Sequence, residues 1–396
     1  MNPAARTHFF LLIAFLQFLR AFGFSNADIE TSDRLTSLTK SKGSKTVTFL
    51  LGDFTYAAML VNNIAQLRRL GIDDVGIGCT DTELQAFLAA RGMHCALFKG
   101  EHLHDHLLTL GVFPNMRQHI DNMDWVRMLQ YKMYGVALIL RAGLDVLYVD
   151  ADALLLGDPY PAIRSAGIAR AGGGGTGATF APADMLFSSG AFPKHSIATW
   201  GMAACAGFFF ARSGVSTRHF FNEILVDTVV FRDDQRALNR QLRAAGLAFD
   251  GDGGRVNETV FAAGAPAAVA EVFVRKELVR VGFLDPARFV RHCDRYPQGN
   301  GAAAALLWHC TSQQSHASLT KAQRFASQGL WFLREDWDDD GYVKEAAATA
   351  AAAAAAAGAA AENGNGDAAA AAAATGELWG AWLDAVTLAP VAAGTL

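Results

Sequence analysis

Asp150 and Asp152, two carboxylates with one alanine between them, stand where one apolar run ends and another begins. The segment from Val146 to Pro159 reads VLYVDADALLLGDP. Leu144, Val146, Leu147 and Val149 lead into the pair, and Leu154, Leu155 and Leu156 follow it. Aspartate is depleted in strands and costly to bury. A pair held between buried runs therefore needs a partner. Carboxylate oxygens suit a hard divalent cation, Mn²⁺ or Mg²⁺. The competing reading is a strand-end turn whose acids face water. A bare Asp-x-Asp pair is common, and it is the flanking runs that favour the metal.

Other residues with chemical potential carry weaker patterns. His102, His104 and His106 alternate, and such spacing would put them on one face of a strand. No strand pattern surrounds them, so residues 100–122 are expected to be an irregular, solvated loop. The glycine run Gly172 to Gly175 is followed by Thr176-Gly177-Ala178 rather than Gly-Lys-Ser/Thr, which favours a surface loop over a phosphate loop. His309 ends a short apolar approach, Leu306-Leu307-Trp308, and on its own reads as a core histidine. Cys79, Cys95, Cys205, Cys293 and Cys310 are widely spread with no Cys-x-x-Cys, which excludes a zinc knuckle or dithiol redox motif. One or two disulfides and a leftover thiol are expected, with the pairing open.

The elements that must position these residues alternate. Thr46 to Leu51 reads as a strand ending at Gly52-Asp53, followed by a helix from Tyr56 to Leu70. Asp74 to Cys79, Asp81 to Arg91 and His94 to Phe98 read as strand, helix and strand. This alternation implies a parallel α/β sheet. Ligands of such sheets bind at the carboxyl ends of the strands, which puts Gly52, Asp53, Thr80 and Asp81 on the candidate ligand edge. A helix from Trp125 to Arg141, stopped at Gly143, leads into the strand carrying Asp150. Ala204 to Ala211 reads as a buried strand and Asp233 to Arg243 as a helix, which Asp234 could cap.

At 396 residues the chain can hold one large or two modest domains. Arg6 and His8 precede an apolar core from Phe9 to Leu19, and Ser25-Asn26-Ala27 offers a cleavage site. Residues 1–27 are expected to be a cleaved signal peptide or, continuing through Phe24, a short type II membrane anchor; a plain hydrophobic helix is the third reading. Either of the first two sends the chain into the secretory pathway, where Asn257-Glu258-Thr259 would be a glycosylation sequon. Residues 28–45 read as a linker or stem, 46–345 as the main domain, and 346–396 as an alanine-rich low-complexity tail containing Trp379 and Trp382. The net charge of −4 leaves no broad basic face for a nucleic acid. A phosphate-bearing ligand would need a local metal or a few placed cations.

Four blocks in order resemble the nucleotide-diphospho-sugar transferases of plants and algae, glycosyltransferase family 77, with a more distant likeness to the family-eight galactosyltransferases. They are Thr48 to Val75 with its Gly71-Ile72-Asp73-Asp74-Val75 turn; Leu144 to Pro159; Cys205-Ala206-Gly207-Phe208 with Asp234-Gln235-Arg236-Ala237-Leu238-Asn239; and His309 with Gly329-Leu330-Trp331. The resemblance spans residues 46–333. It implies a GT-A fold, an α/β Rossmann-like mixed sheet flanked by helices with the Asp-x-Asp pair at its centre. It further implies that Asp150, Asp152 and His309 hold the metal. Gly52, Asp53, Tyr56, Lys132, Asp150, Ala206 and Gly207 would meet the donor, and Asp234 and Gln235 would flank the transferred sugar.

The implied chemistry is metal-assisted transfer of a galactose-, xylose- or arabinose-type sugar, with retention, from a nucleotide-diphosphate donor, UDP by resemblance. The implied acceptor is a polysaccharide or glycoprotein, and the implied place the Golgi lumen. The stretch from Cys310 to Lys321 departs from the relatives, which have a shorter, glycine-containing stretch with a lysine near the diphosphate. Lys321 is the lysine nearest to that role, and His316 competes with His309 as ligand. Two other readings stand beside this one. A catalytically silent sugar-binding relative would keep the fold. A haloacid-dehalogenase-type phosphatase also ends a strand in Asp-x-Asp, but near the start of its domain and usually followed by Thr or Val, where this chain has Ala153.

Overall fold

The computed structural model describes residues 36, 44–111, 124–170, 179–249, 255–256, 261, 265–291, 305–309 and 321–338. The N-terminal segment to residue 27, the glycine run, the sequon, Cys293, Cys310, His316 and the alanine-rich tail lie outside them. Among the described residues no helix is long and apolar enough to cross a membrane.

Strand β1 (Thr46–Gly52) is buried from Val47 onward. A single 3-10 turn leads to α1 (Ala57–Arg69), then β2 (Val75–Cys79), α2 (Thr82–Ala89) and β3 (Ala96–Leu97). Next come α3 (Gly100–Thr109), α4 (Asp124–Arg141) and β4 (Asp145–Val149). β1 pairs in parallel with both β2 and β4, and β2 with β3. This is the doubly wound half that the alternation predicts. Gly71 (φ +72°) turns the chain out of α1 and Gly143 (φ +84°) out of α4, positions where a side chain would be strained.

The second half is not parallel. β5 (Ala153–Leu155), α5 (Tyr160–Ser165) and the β6–β7 hairpin (Gly167–Arg170, Thr179–Pro182) precede β8 (Met185–Gly190), α6 (Lys194–Trp200) and β9 (Ala203–Ala211). β9 runs antiparallel to both β4 and β8. Helices α7 (Val215–Phe231) and α8 (Asp234–Ala244) follow, then the antiparallel pair β10 (Ala267–Val274) and β11 (Glu277–Leu284). The main sheet has the order β10-β11-β8-β9-β4-β1-β2-β3. The mixed α/β sheet is therefore present, and the purely parallel reading holds only from β1 to β4. A second sheet joins β12 (Phe289–Val290), β13 (Leu307–His309) and β5. Helix α9 (Lys321–Ser327) is the last among the described residues.

Helices cover both faces. Along β1, Val47, Phe49 and Leu51 enter the core cluster containing α4 and α7, while Leu50 enters the one containing α1. β4 repeats the alternation, with Val146 and Tyr148 facing α4 and Leu147 and Val149 facing α1. That parity carries forward to Asp150, which leaves β4 on the α4 side. α4 approaches closely because Gly135 has no Cβ; one there would come within 2.5 Å of the Phe49 ring.

The irregular loop expected over residues 100–122 is corrected in its first part. Gly100–Thr109 is helical because Leu103 and Leu107, one turn apart, both reach the core. The helix sends alternate histidines apart. His106 is buried against the Tyr134 ring at 5.0 Å, whereas His102 and His104 lie partly exposed beside Glu101 and Asp105. Cys79 and Cys95 form a disulfide between the end of β2 and the entry to β3, and Cys205 is a free, buried thiol.

Candidate active site

The Asp-x-Asp turn is held by its backbone. Asp150 N donates to Gly207 O at 2.8 Å, and Ala153 N to Asp150 O at 2.9 Å. Two buried amides of α1 fix the rest: Asn63 Nδ2 donates to Asp150 O (3.2 Å) and Ala153 O (2.9 Å), and Gln66 Nε2 to Leu155 O (2.9 Å). Buried amides are tolerable when hydrogen-bonded in this way. The turn feeds β5, whose antiparallel register sets Ala153 opposite His309. A residue 157 positions past Asp152 thus arrives beside it.

His309 Nε2 lies 3.7 Å from Asp150 Oδ2 and 3.4 Å from Asp152 Oδ1. Among the described residues these three form the one group whose ligand atoms, all within 4.8 Å of one another, could hold a metal ion. The donor set, two carboxylates and an imidazole, suits a divalent cation. Gly207 keeps the space open, since a Cβ there would overlap Asp150 Oδ2 and His309 Cε1. His309 Nδ1 faces Cys205 Sγ at 3.8 Å, which leaves Nε2 directed at the carboxylates.

A second layer of charge lies on the α4 side. Lys132 Nζ is 3.3 Å from Asp150 Oδ1 and 2.5 Å from Asp234 Oδ2, and it donates to Ala206 O at 3.2 Å. Tyr148 Oη donates to Asp150 Oδ1 at 2.7 Å. Lys321, the first residue of α9, pairs through Nζ with the Asp152 carboxylate. Burial works against these charges and the partners against burial. Lys132 is held above the ordinary lysine value by Asp150 and Asp234 despite its burial. Burial raises Asp234, with Lys132 opposing. Asp152, although burial pushes it up, is held well below the usual carboxylate range by His309 and Lys321. His309, although desolvated, is raised to about 9 by Asp152 and Cys205. Burial would raise the Cys205 thiol, but Arg291 and His309 bring it down to about 7.

Cys205, Ala206 and Gly207 extend past the last β4–β9 pair, Val149 with Phe208, and so line the site with backbone. Ala204, the residue before them, is held by α8. Asn239 Oδ1 accepts from Ala204 N (2.9 Å), and its Nδ2 donates to Ala204 O (2.8 Å) and Gln235 O (2.7 Å). The cap of α8 is Asp233, which accepts from Arg236 N at 2.9 Å, so Asp234 is released to pair with Lys132. Gln235 Nε2 donates to Phe192 O at 2.5 Å, and its Oε1 accepts from Arg291 Nη1 at 3.2 Å.

Gly52, Asp53 and Tyr56 occupy the neighbouring strand end. Gly52 O accepts from Thr80 N at 3.0 Å. Asp53 accepts from Tyr56 N at 3.1 Å and from Thr55 Oγ1 at 2.5 Å, so its carboxylate shapes the turn. Tyr56 is 38% exposed, and its phenol acts electrostatically on Lys321. Among the described residues neither Asp53 nor Tyr56 bonds to the metal group. Asp150, Asp152, His309, Lys132, Asp234, Ala206 and Gly207 do converge, with Gln235 at their flank. From sequence, Tyr148, Arg291 and Asn63 carry no assigned role, and Cys205 and Asn239 stand only within the resembling blocks. The two asparagines had one signal, polar residues on the inward face of an amphipathic helix.

Comparison of the sequence with curated proteins finds no match. Several glycosyltransferase structures are similar at low identity. The bifunctional glycosyltransferase WbbM is 11% identical over 68% of this chain, with TM-score 0.38, and the chain spans 46% of its length. The galactosyltransferase LgtC is 14% identical over 74% of this chain and 98% of its own, with TM-score 0.37. GlyE of Streptococcus pneumoniae TIGR4 is 12% identical over 76% and 64%, with TM-score 0.32. Residues 71–316 match the family model described as nucleotide-diphospho-sugar transferase, which is more than half of the chain and takes in Lys132, the Asp-x-Asp turn, Asp234 and His309. The chain therefore belongs to the nucleotide-diphospho-sugar transferase family and is a glycosyltransferase that draws on a nucleotide-sugar donor.

Proposed function

We propose that the protein is a Mn²⁺- or Mg²⁺-dependent, retaining glycosyltransferase of the family-77 type. It would move a galactose-, xylose- or arabinose-type sugar from a UDP donor to a polysaccharide or glycoprotein acceptor in the secretory lumen. The observation that carries this reading is the meeting of Asp150 and Asp152, from one turn, with His309 from a distant strand, with their ligand atoms within 4.8 Å.

A divalent cation held by these three residues would act as a Lewis acid on the charge that develops on the departing diphosphate. The remaining work falls to the chain. Lys132 balances Asp150 and Asp234, so both carboxylates stay in place within a buried site. Lys321, now on Asp152, is a cation that a phosphate oxygen can take up in exchange for that carboxylate. Cleavage of the bond to the anomeric carbon builds oxocarbenium character. Asp234 or the Gln235 carbonyl oxygen is the polar group for stabilising it. The Phe192 carbonyl and Arg291 fix which end of the Gln235 amide is the oxygen. A lumenal address is supported by the Cys79–Cys95 disulfide, since such bonds persist in oxidising compartments.

The test is a screen of UDP-sugars with the purified protein, with Mn²⁺ and with chelator. Metal-dependent release of UDP from at least one donor is expected. No turnover of any nucleotide sugar would remove the reading.

A further inference from the structure

Arg291 has no part in the metal group, and its surroundings ask for a ligand. The parallel register Phe289↔Leu307 and Val290↔Trp308 brings the chain out of β12 at Arg291 beside His309. Lys132 and Lys321 each pair with carboxylates, yet among the described residues no carboxylate pairs with Arg291. Among the described residues its guanidinium donates to the neutral Gln235 Oε1, and its Nε is shut off from water without an acceptor. A guanidinium carries five donors in a fixed fork. Room for it is made by a glycine: a Cβ at Gly190 would come within 2.8 Å of Arg291 Nη1 and 2.9 Å of Gln235 Nε2.

The position selects the kind of anion. Lys321 and the aspartate pair serve the diphosphate end in the reading above. Arg291 is joined instead to Gln235, the neighbour of Asp234 on the sugar side. A planar fork with spare donors matches a carboxylate held through two parallel bonds. We propose that Arg291 receives a carboxylate on the sugar side of the site, so that the substrate class is a uronic acid. The carboxylate comes either from a uronosyl donor or from an acceptor glycan ending in a uronic acid. This rests on the donor-site reading of the Asp-x-Asp group.

Calorimetric binding to the full chain with Mn²⁺ distinguishes the sources. One arm compares UDP-glucuronate and UDP-galacturonate with UDP-glucose and UDP-galactose. The other adds uronate-terminated or neutral oligosaccharides to the UDP-bound protein. In one arm the acid is expected to bind about tenfold or more tightly than its neutral counterpart, the size of a charge-assisted contact. Arg291→Gln should remove that preference while UDP itself binds within about twofold of wild type. Arg291→Lys should restore part of it, and Gly190→Ala, by crowding the fork, should reduce it. Equal loss of UDP affinity in Arg291→Gln would assign the arginine to the diphosphate and overturn the proposal. So would UDP binding with no acid preference in either arm. A wild-type protein that binds neither UDP nor any UDP-sugar would overturn the donor-site reading beneath it.

Discussion

At Asp152 two cationic side chains, His309 and Lys321, converge on one buried carboxylate. Asp152→Ala is expected to abolish metal-dependent turnover, by a factor of about 10³ or more, with the circular dichroism spectrum of a folded protein retained and the melting temperature lowered. Undiminished turnover would sink the metal assignment. The His309 proton gives a pH signature. Its folded pKa, about 9, lies above the unfolded value, so the stability it contributes is full below ~6.5 and lost as pH rises through about 9. Asp152 works in the other direction: its depressed pKa contributes stability above ~3.9 that is lost as pH falls through the folded value. A ligating imidazole must be neutral, so loading the site displaces the His309 proton. Mn²⁺ affinity, read by calorimetry between pH 6.5 and 8, is expected to rise roughly tenfold per pH unit with release of about one proton. A flat profile would contradict His309 as a ligand.

Helix α8 acts through Asn239 more than through its length. That amide completes both hydrogen bonds of Ala204 where β9 has run past its partner β4. Asn239→Ala would strip two buried backbone groups at once, and about 2–4 kcal/mol of destabilisation is expected in urea melts. An effect below about 1 kcal/mol would mean that water replaces the amide. At this scale the sequence was legible where pattern and burial agree, as in β1, α1, β2, α4 and β4. It was not legible where a turn or helix lacks its usual residues. The β10–β11 hairpin turns through Arg275 and Lys276, both at positive φ, where Asn-Gly is the recognisable pair. Helix α3 hid behind its histidines because its apolar stripe is only Leu103 and Leu107. Among the site residues, Asp150 and Asp152 were readable as a motif, and His309 only through the family resemblance. Arg291, Cys205 and Asn239 matter through contacts across the sheets, which spacing along the chain does not encode.

For the whole molecule, the Cys79–Cys95 link closes a short loop over 16 residues at the edge of the parallel half. Replacing both cysteines by serine is expected to lower stability by about 3 kcal/mol, measured by chemical denaturation, while UDP and Mn²⁺ binding persist because the link lies outside the metal group. Loss of binding in a folded double variant would show that the edge and the site are coupled.

The three-residue strand β13 has a further consequence, in time rather than in space. It pairs with β5, more than 150 residues earlier in the chain, and it delivers His309. During synthesis from the N-terminus, β1 to β4 can assemble long before residue 309 has been made. The nascent chain therefore carries an aspartate pair but no complete cation cage until the last of its eight-stranded and three-stranded sheets is closed. On the proposed reading, capture of a metal would report that folding has finished, and a chain cut short before Leu307 would lack the third ligand.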